Sequence, residues 1–280
     1  MAQEPLPADL GAPSPLMVEL LFDRPPALDL SAVADLVAER TGTPTAVIGD
    51  DGRGSAISFP EITITSDDTT VPYAVWFMTA DNLVRPDGWL AGVLEHSWTW
   101  KDAGPVVEAC EFGLLAVDLM SGGLDRRLRL PLYHAVLGAV VEATSPRATH
   151  WMKAARFVQP EAYLEDLAGD PTGLQTAVNI RYVLVADRPG EQVMDTVGMS
   201  TFGLPDLQAH FTTLEPSFVA GRLFSIARYL FENGDVIEDG HTVPGLTEEE
   251  RWPCAHEVSM MAPRRAVLDI DVRPHGPTRS

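Results

Sequence analysis

From Asp195 to Val243 the chain reads DTVGMSTFGLPDLQAHF, then an amphipathic run, then YLFENGDVIEDGHTV. A Gly-Leu-Pro-Asp corner, further glycines, two histidines and a series of carboxylates crowd around one helix-length segment. Glycine and proline fix where a chain can turn, so this punctuation predicts a strand, a corner, a helix and a second turn in close succession. The helix spans Ser217 to Phe231, with Pro216 in its first turn and Gly234 after its end. Its apolar stripe is Val219, Leu223, Ile226 and Leu230. Burying four such side chains contributes roughly 6–12 kcal/mol before entropy is subtracted, so the helix must dock on a sheet or a neighbour.

The rest of the chain alternates strand-like and helix-like segments without a tandem repeat. Leu16 to Phe22 is an apolar run of strand length. Asp29 or Ser31 caps a helix carrying Leu30, Val33, Leu36 and Val37 on one face, closed by Gly42. Thr45 to Ile48, Ala56 to Thr65 and Val71 to Met78 read as strands, separated by turns at Asp50-Asp51-Gly52 and Asp67-Asp68. A helical piece follows from Pro86 to His96, and Phe112 to Met120, apolar on both faces, reads as a central strand. Pro131 to Ala143 is a helix apolar nearly all round. Thr149 to Val158 reads as a strand and Glu161 to Leu167 as a short helix. Ile180 to Ala186 and Glu191 to Met199 flank a hairpin turn at Asp187-Arg188-Pro189-Gly190. In Ala266 to Val272, Leu268, Ile270 and Val272 alternate with Asp269 and Asp271, the pattern of a half-buried strand.

Together these segments predict an α+β fold: a mixed, largely antiparallel sheet with helices packed mainly on one face. Residues 1–15 and 274–280 read as disordered tails, 16–167 as an N-terminal α+β region and 175–273 as a C-terminal one. The Gly-Asp-Pro-Thr-Gly loop near residue 170 is the one candidate boundary, and two independent domains are not required.

Charge narrows the function classes. The chain has 40 acids against 20 bases, net −20. Phosphate affinity comes largely from Lys and Arg, so this balance argues against nucleic acid and against an anionic membrane surface. It suits solubility, or a basic protein partner. No apolar run is long enough to span a bilayer. Cys110 and Cys254, the only cysteines, suggest a reducing cytosol, with a disulfide between them left open.

The segment DTVGMSTFGLPDLQAHF, the helix ending in ARYLFENG, and DVIEDGHTV resemble a bacterial family, domain of unknown function 4261. SWTWKDAG, EFGLLAVDLM and ATHWMKAARFV are similar to its upstream region. The resemblance implies the α+β fold class and a cytoplasmic bacterial protein. It supplies no catalytic residues. Some related small α+β families accompany secreted toxins as immunity proteins.

Asp195, Asp206, His210, Glu238, Asp239 and His241 are the candidates for a shared site. If the strand ending at Met199 and the segment Glu238–Val243 pair across the helix, two imidazoles and neighbouring carboxylates would suit a divalent metal. That gives a metal-dependent hydrolase using His210 and His241 as the alternative function. The spacing matches no standard ligand motif, and the plainer reading is turn chemistry: Asp206 caps the corner after Pro205, His210 packs beside Phe211, and Asp239-Gly240 makes a tight turn. Gly198, Gly203, Gly234 and Gly240 form no phosphate motif and read as turns and helix ends. No nucleophile elbow or Cys-His signature occurs, and Cys110 beside Glu111 reads as an inert core thiol. Trp98 and Trp100 lie on one face if HSWTWK is extended, either as an exposed anchor or as a roof over the core.

Glu232 to Glu250 contains seven acids and no Lys or Arg, either a solvated loop whose triple-Glu run starts a helical turn or a docking site for a basic partner. The leading expectation is a cytosolic, non-enzymatic protein-binding module, with no cofactor and no resident metal, whose partner is a basic protein such as a toxin or effector.

Overall fold

A computed structural model gives the architecture of residues 11–49, 54–66, 69–81, 88–186 and 188–272. The expected turns at Asp50-Asp51-Gly52 and Asp67-Asp68 lie outside the described residues, as do Pro86, Asp187, residues 1–10 and the 274–280 tail. The fold is α+β, with two largely antiparallel sheets, one wholly antiparallel and one mixed, and the chain divides into two compact units.

One unit comprises Ser14–Ala177. Its strands are β1 (Met17–Phe22), β2 (Ala46–Ile48), β3 (Ser55–Ser66), β4 (Thr69–Asp81), β5 (Phe112–Val117), β6 (Ala148–Trp151) and β7 (Arg156–Val158). They form one antiparallel sheet in the order β2-β3-β4-β5-β1-β6-β7. The long helices α1 (Leu30–Thr41) and α4 (Arg126–Thr144) pack on each other, and α4 reaches the sheet where the Tyr133 hydroxyl donates to the Ala116 carbonyl at 2.9 Å. The short helices α2 (Trp89–Glu95) and α3 (Ala103–Glu108) bring Val93, Trp100, Ala103 and Val107 against Leu21, Ala148 and Phe157. Helices α5 (Pro160–Gly169) and α6 (Leu174–Ala177) complete the unit.

The sequence set helix boundaries correctly where a local cap decides them. Asp29 accepts the Ala32 amide at 3.1 Å, and Gly42 closes α1 in the left-handed region at φ 65, as Asp and Gly do at helix ends. Helix α4 departs from expectation: it starts at Arg126, capped by Asp125, and carries Pro131 inside it. Asp125 accepts the Arg127 amide at 2.9 Å, and a buried ion pair holds the first turns. Arg129 donates to Asp118 at 2.7 and 2.9 Å, and its guanidinium also reaches the Ser14 carbonyl at 2.8 Å. Asp118 in turn accepts the Leu16 amide at 2.6 Å, so this pair fastens the lead-in to β1. Thr149–Val158 is two strands rather than one, because a turn at 152–155 with Ala155 at φ 50 folds β7 back onto β6.

The other unit comprises Met1–Pro13 and Val178–Ser280. Its sheet has the order β11-β12-β13-β10-β9-β8, from β8 (Asn179–Leu184), β9 (Gln192–Val197), β10 (Asp206–Phe211), β11 (Thr242–Pro244), β12 (Arg251–Val258) and β13 (Ala266–Ile270). Only β10 and β13 run parallel. Helix α7 (Pro216–Asn233) packs over β9 and β10 through Val219, Leu223, Ile226 and Leu230, the stripe its periodicity predicts. The sequence did not show β10 or β12. The triple-Glu run leads directly into β12 and forms no helical turn.

Both cysteines are buried, and no disulfide joins them. No helix among the described residues is long and apolar enough to cross a membrane. The Arg129 pair yields a direct test. Arg129→Met, which leaves the Asp118 charge buried and unmatched, is expected to cost about 3–5 kcal/mol in urea unfolding, with Asp118→Asn/Arg129→Met costing less than the single change.

Candidate functional site

The strand register of the second sheet builds a polar row. Arg181 of β8 lies opposite Asp195 of β9, Asp195 opposite Gln208 of β10, and Gln208 opposite Asp269 of β13. Directly opposed residues share one face of a sheet, so four polar side chains run across four strands. Arg181 clasps Asp195 through two bonds, 2.9 Å from Nε and 2.6 Å from Nη2. Gln208 Nε2 donates to Asp269 at 2.9 Å.

A second arginine locks this row to the Gly-Leu-Pro-Asp corner. Arg265 Nη2 donates to Asp195 Oδ2 at 2.6 Å, and its Nε donates to Asp206 Oδ2 at 3.0 Å. The other Asp206 oxygen accepts Thr196 Oγ1 and the Met199 amide, both at 3.0 Å. All four charged residues are buried, and two arginines balance two aspartates. Burial pushes the Asp206 carboxyl up to about 6, against Arg265, the Met199 amide and Thr196, which favour its ionised form. The corner is therefore an ion-pair socket as well as a capped turn: Asp206 opens strand β10, and the turn it caps is the one before Pro205, at Met199–Phe202.

The remaining donors of the cluster hold one loop. Arg181 Nη1 donates to the Ala262 carbonyl at 2.7 Å, and Arg265 Nη1 to those of Met261 and Pro263 at 3.2 and 3.0 Å. Gln208 Oε1 accepts the Met260 amide at 2.7 Å. Segment 259–265 is thus strapped over the polar face. Every oxygen of Asp195 and Asp206 has a donor, and such a saturated network is suited to holding backbone rather than to moving protons.

The other candidates stand in separate places. His210 Nε2 is 2.9 Å from Glu191 Oε2, beside a cleft of about 440 Å³ whose walls include Arg188, Thr212, Glu250 and Val272. His241 lies 3.7 Å from the exposed Glu238, and its Nδ1 accepts the Glu238 amide at 3.2 Å. Asp239 belongs to a third arrangement. It accepts both the backbone amide and Nδ1 of His256, at 2.7 and 2.9 Å, while His256 Nε2 contacts Asp235 at 3.2 Å.

The structure therefore joins Asp195 with Asp206 and Glu238 with His241, and draws His210 and Asp239 to other partners. The pairing of the Met199 strand with Glu238–Val243 does not occur, because β9 is flanked by β8 and β10. Among the described residues no group of three or more His, Cys, Asp or Glu is placed to hold a metal ion.

The two tryptophans diverge. Trp100 donates its amide to Ser97 at 2.9 Å and accepts that of Ala103 at 3.2 Å, so the segment turns rather than extends. Trp100 is buried in the α2–α3 cluster while Trp98 is 60% exposed. Sequence reasoning missed Arg181, Gln208, Arg265, Asp235 and His256. The one available signal was an arginine inside each of two apolar, strand-forming surroundings, Asn-Ile-Arg-Tyr-Val and Arg-Ala-Val-Leu.

Asp235 and Asp239 raise the His256 imidazole to about 9, against the opposing effect of burial. A histidine raised in the folded state stabilises fully below its unfolded value near 6.5, and that stabilisation fades as pH rises through about 9. Solvent screening of this partly exposed clamp leaves about 1 kcal/mol. The thermal midpoint of the native chain is expected to fall across that interval relative to His256→Gln. Parallel profiles for the two proteins would contradict the clamp.

Comparison with known proteins identifies one part of the chain. Residues 195–271 match the family model described as Domain of unknown function (DUF4261), a stretch containing Asp195, Asp206, Gln208, Arg265 and Asp269 of the buried cluster. No curated protein and no solved structure matches the chain. The segment from Asp195 to Asp271, with the strand, corner and helix on which the resemblance rested, belongs to the DUF4261 family.

Proposed function

We propose that this chain is a non-enzymatic protein-binding module of the bacterial cytoplasm whose partner is a basic protein, such as a toxin or effector. The observation that carries the reading is the distribution of acids from the last turn of α7 to the start of β12. Of the seven, Asp235 and Asp239 are occupied by His256, and Glu250 accepts the Leu246 amide at 2.8 Å to close its own turn. Glu232, Glu238, Glu248 and Glu249 remain exposed, with no Lys or Arg between residues 232 and 250. They stand on a framework fixed by the His256 clamp and by β12, so their positions are set before any partner arrives. Preorganised charges of one sign steer an oppositely charged partner and raise its association rate.

The buried polar cluster supports the same reading from the other side. The carboxylates that would serve a hydrolase are engaged in ion pairs, and the two histidines named for metal binding sit with different carboxylates.

The test is quantitative co-purification from native lysate with the intact chain and with Glu248→Lys/Glu249→Lys, which leaves the turn-closing Glu250 in place. A basic protein held by the intact chain should be retained about tenfold less by the variant at low salt, with the difference shrinking as salt rises. Identical retention, or a partner with no basic surface, would overturn the proposal.

A further inference from the structure

Helix α7 has a second face besides its buried stripe. Phe218, Gly221, Ser225 and Tyr229 recur at helical spacing on its outer side, where Phe218 is 65% and Tyr229 51% exposed. Beside the first half of this face runs a groove of about 500 Å³, lined by Ser217, Phe218, Gly221, Arg222, Ser225 and Leu246. Leu246 forms its far wall from the turn 246–250, the same turn that exposes Glu248 and Glu249.

Gly221 is the informative residue. It lies near the start of an 18-residue helix, where glycine costs stability relative to alanine because it loses more backbone freedom on folding. Glycine is usually kept inside a helix when another part of the chain approaches too closely for a side chain, or when the backbone needs a positive φ. Neither applies: a Cβ built there meets nothing within 4 Å, and its φ is helical. The open space above Gly221 serves no packing need of its own neighbourhood.

We propose that this groove docks a basic amphipathic segment of the protein partner. The segment's apolar side chains enter over Gly221 between Phe218 and Leu246, and its Lys or Arg side chains meet Glu248 and Glu249. Charge complementarity selects this occupant: Glu248 and Glu249 are exposed two and three residues beyond the lining Leu246, and the charged residue of the lining, Arg222, is offset by Glu250, which lies within its electrostatic reach. This inference rests on the partner-binding reading above and adds the recognition mode, helix-in-groove capture with a basic rim contact.

The test uses the full chain and a synthetic helix of about 14 residues with Leu at i, i+3, i+4 and i+7 and Lys elsewhere. Its controls are a peptide of the same composition with the Leu residues scattered around the helix, and a Leu/Glu analogue. Gly221→Leu fills the groove and is expected to leave the thermal midpoint unchanged or raised. It should weaken binding of the Leu/Lys helix at least about tenfold, as should Glu248→Lys/Glu249→Lys, with the scattered peptide binding more weakly and the Leu/Glu analogue not at all. If the charge reversal weakens binding while Gly221→Leu does not, the groove is overturned and the acidic-surface reading stands. Equal binding of all three peptides, or none by the Leu/Lys helix, also overturns the groove, and co-purification then decides the wider reading alone.

Discussion

Arg265 holds the C-terminal unit together. Its guanidinium touches both carboxylates of the Asp195–Asp206 stretch, one on β9 and one at the start of β10, and is itself anchored at the head of β13. Burying four charges is expensive, several kcal/mol for each ion after relaxation, and is tolerated only where every charge is matched and hydrogen-bonded. Here the matching is complete. The fork of Arg181 covers one edge of Asp195, Arg265 bridges to Asp206, and Thr196 and the Met199 amide take the remaining oxygen. The consequence is geometric: β9, β10, β13 and loop 259–265 have one mutual arrangement that leaves no charge unpaired. The N-terminal unit uses the same device on a smaller scale, with Asp118 and Arg129 fixing the entry to β1 and the start of α4.

This constraint explains why the most polar stretch of the chain is so poor in free chemistry. Carboxylates gathered in a sequence invite a catalytic reading, yet a carboxylate whose oxygens are all taken by guanidinium, hydroxyl and amide donors has no lone pair turned to a substrate or a cation. What the locked sheet provides is a stiff platform. The acids that face solvent stand on it, from the end of α7 to β12, and the His256 clamp engages two of them while pinning the loop that carries Glu238.

Features governed by neighbours in sequence were legible without coordinates. The α7 stripe, the Asp29 and Gly42 caps and the alternation of β13 all depend on residues within a turn or two of one another, and the α+β class follows from them. Features governed by distant partners were not. Arg265 meets Asp195 across 70 residues and Asp206 across 59, so no local pattern distinguishes Asp206 from an ordinary corner aspartate. Trp98 and Trp100 were misjudged for a related reason: an alternation rule presupposes an extended backbone, and Ser97 with Ala103 turns that segment instead. The early start of α4 has a local signal in the Asp125 cap, whereas the Arg129–Asp118 pair that holds its first turns does not follow from a helical period.

A double-mutant cycle between Asp206 and Arg265 measures the central claim most directly, because it isolates their mutual energy from the cost of each truncation. With unfolding and Leu/Lys-helix binding followed in the same four proteins, the ion-pair socket predicts a coupling of at least about 2 kcal/mol in stability, with binding unchanged in every variant that remains folded. A coupling near zero, or a folded Arg265 variant of native stability that has lost binding, would contradict it and move these residues from scaffold to recognition.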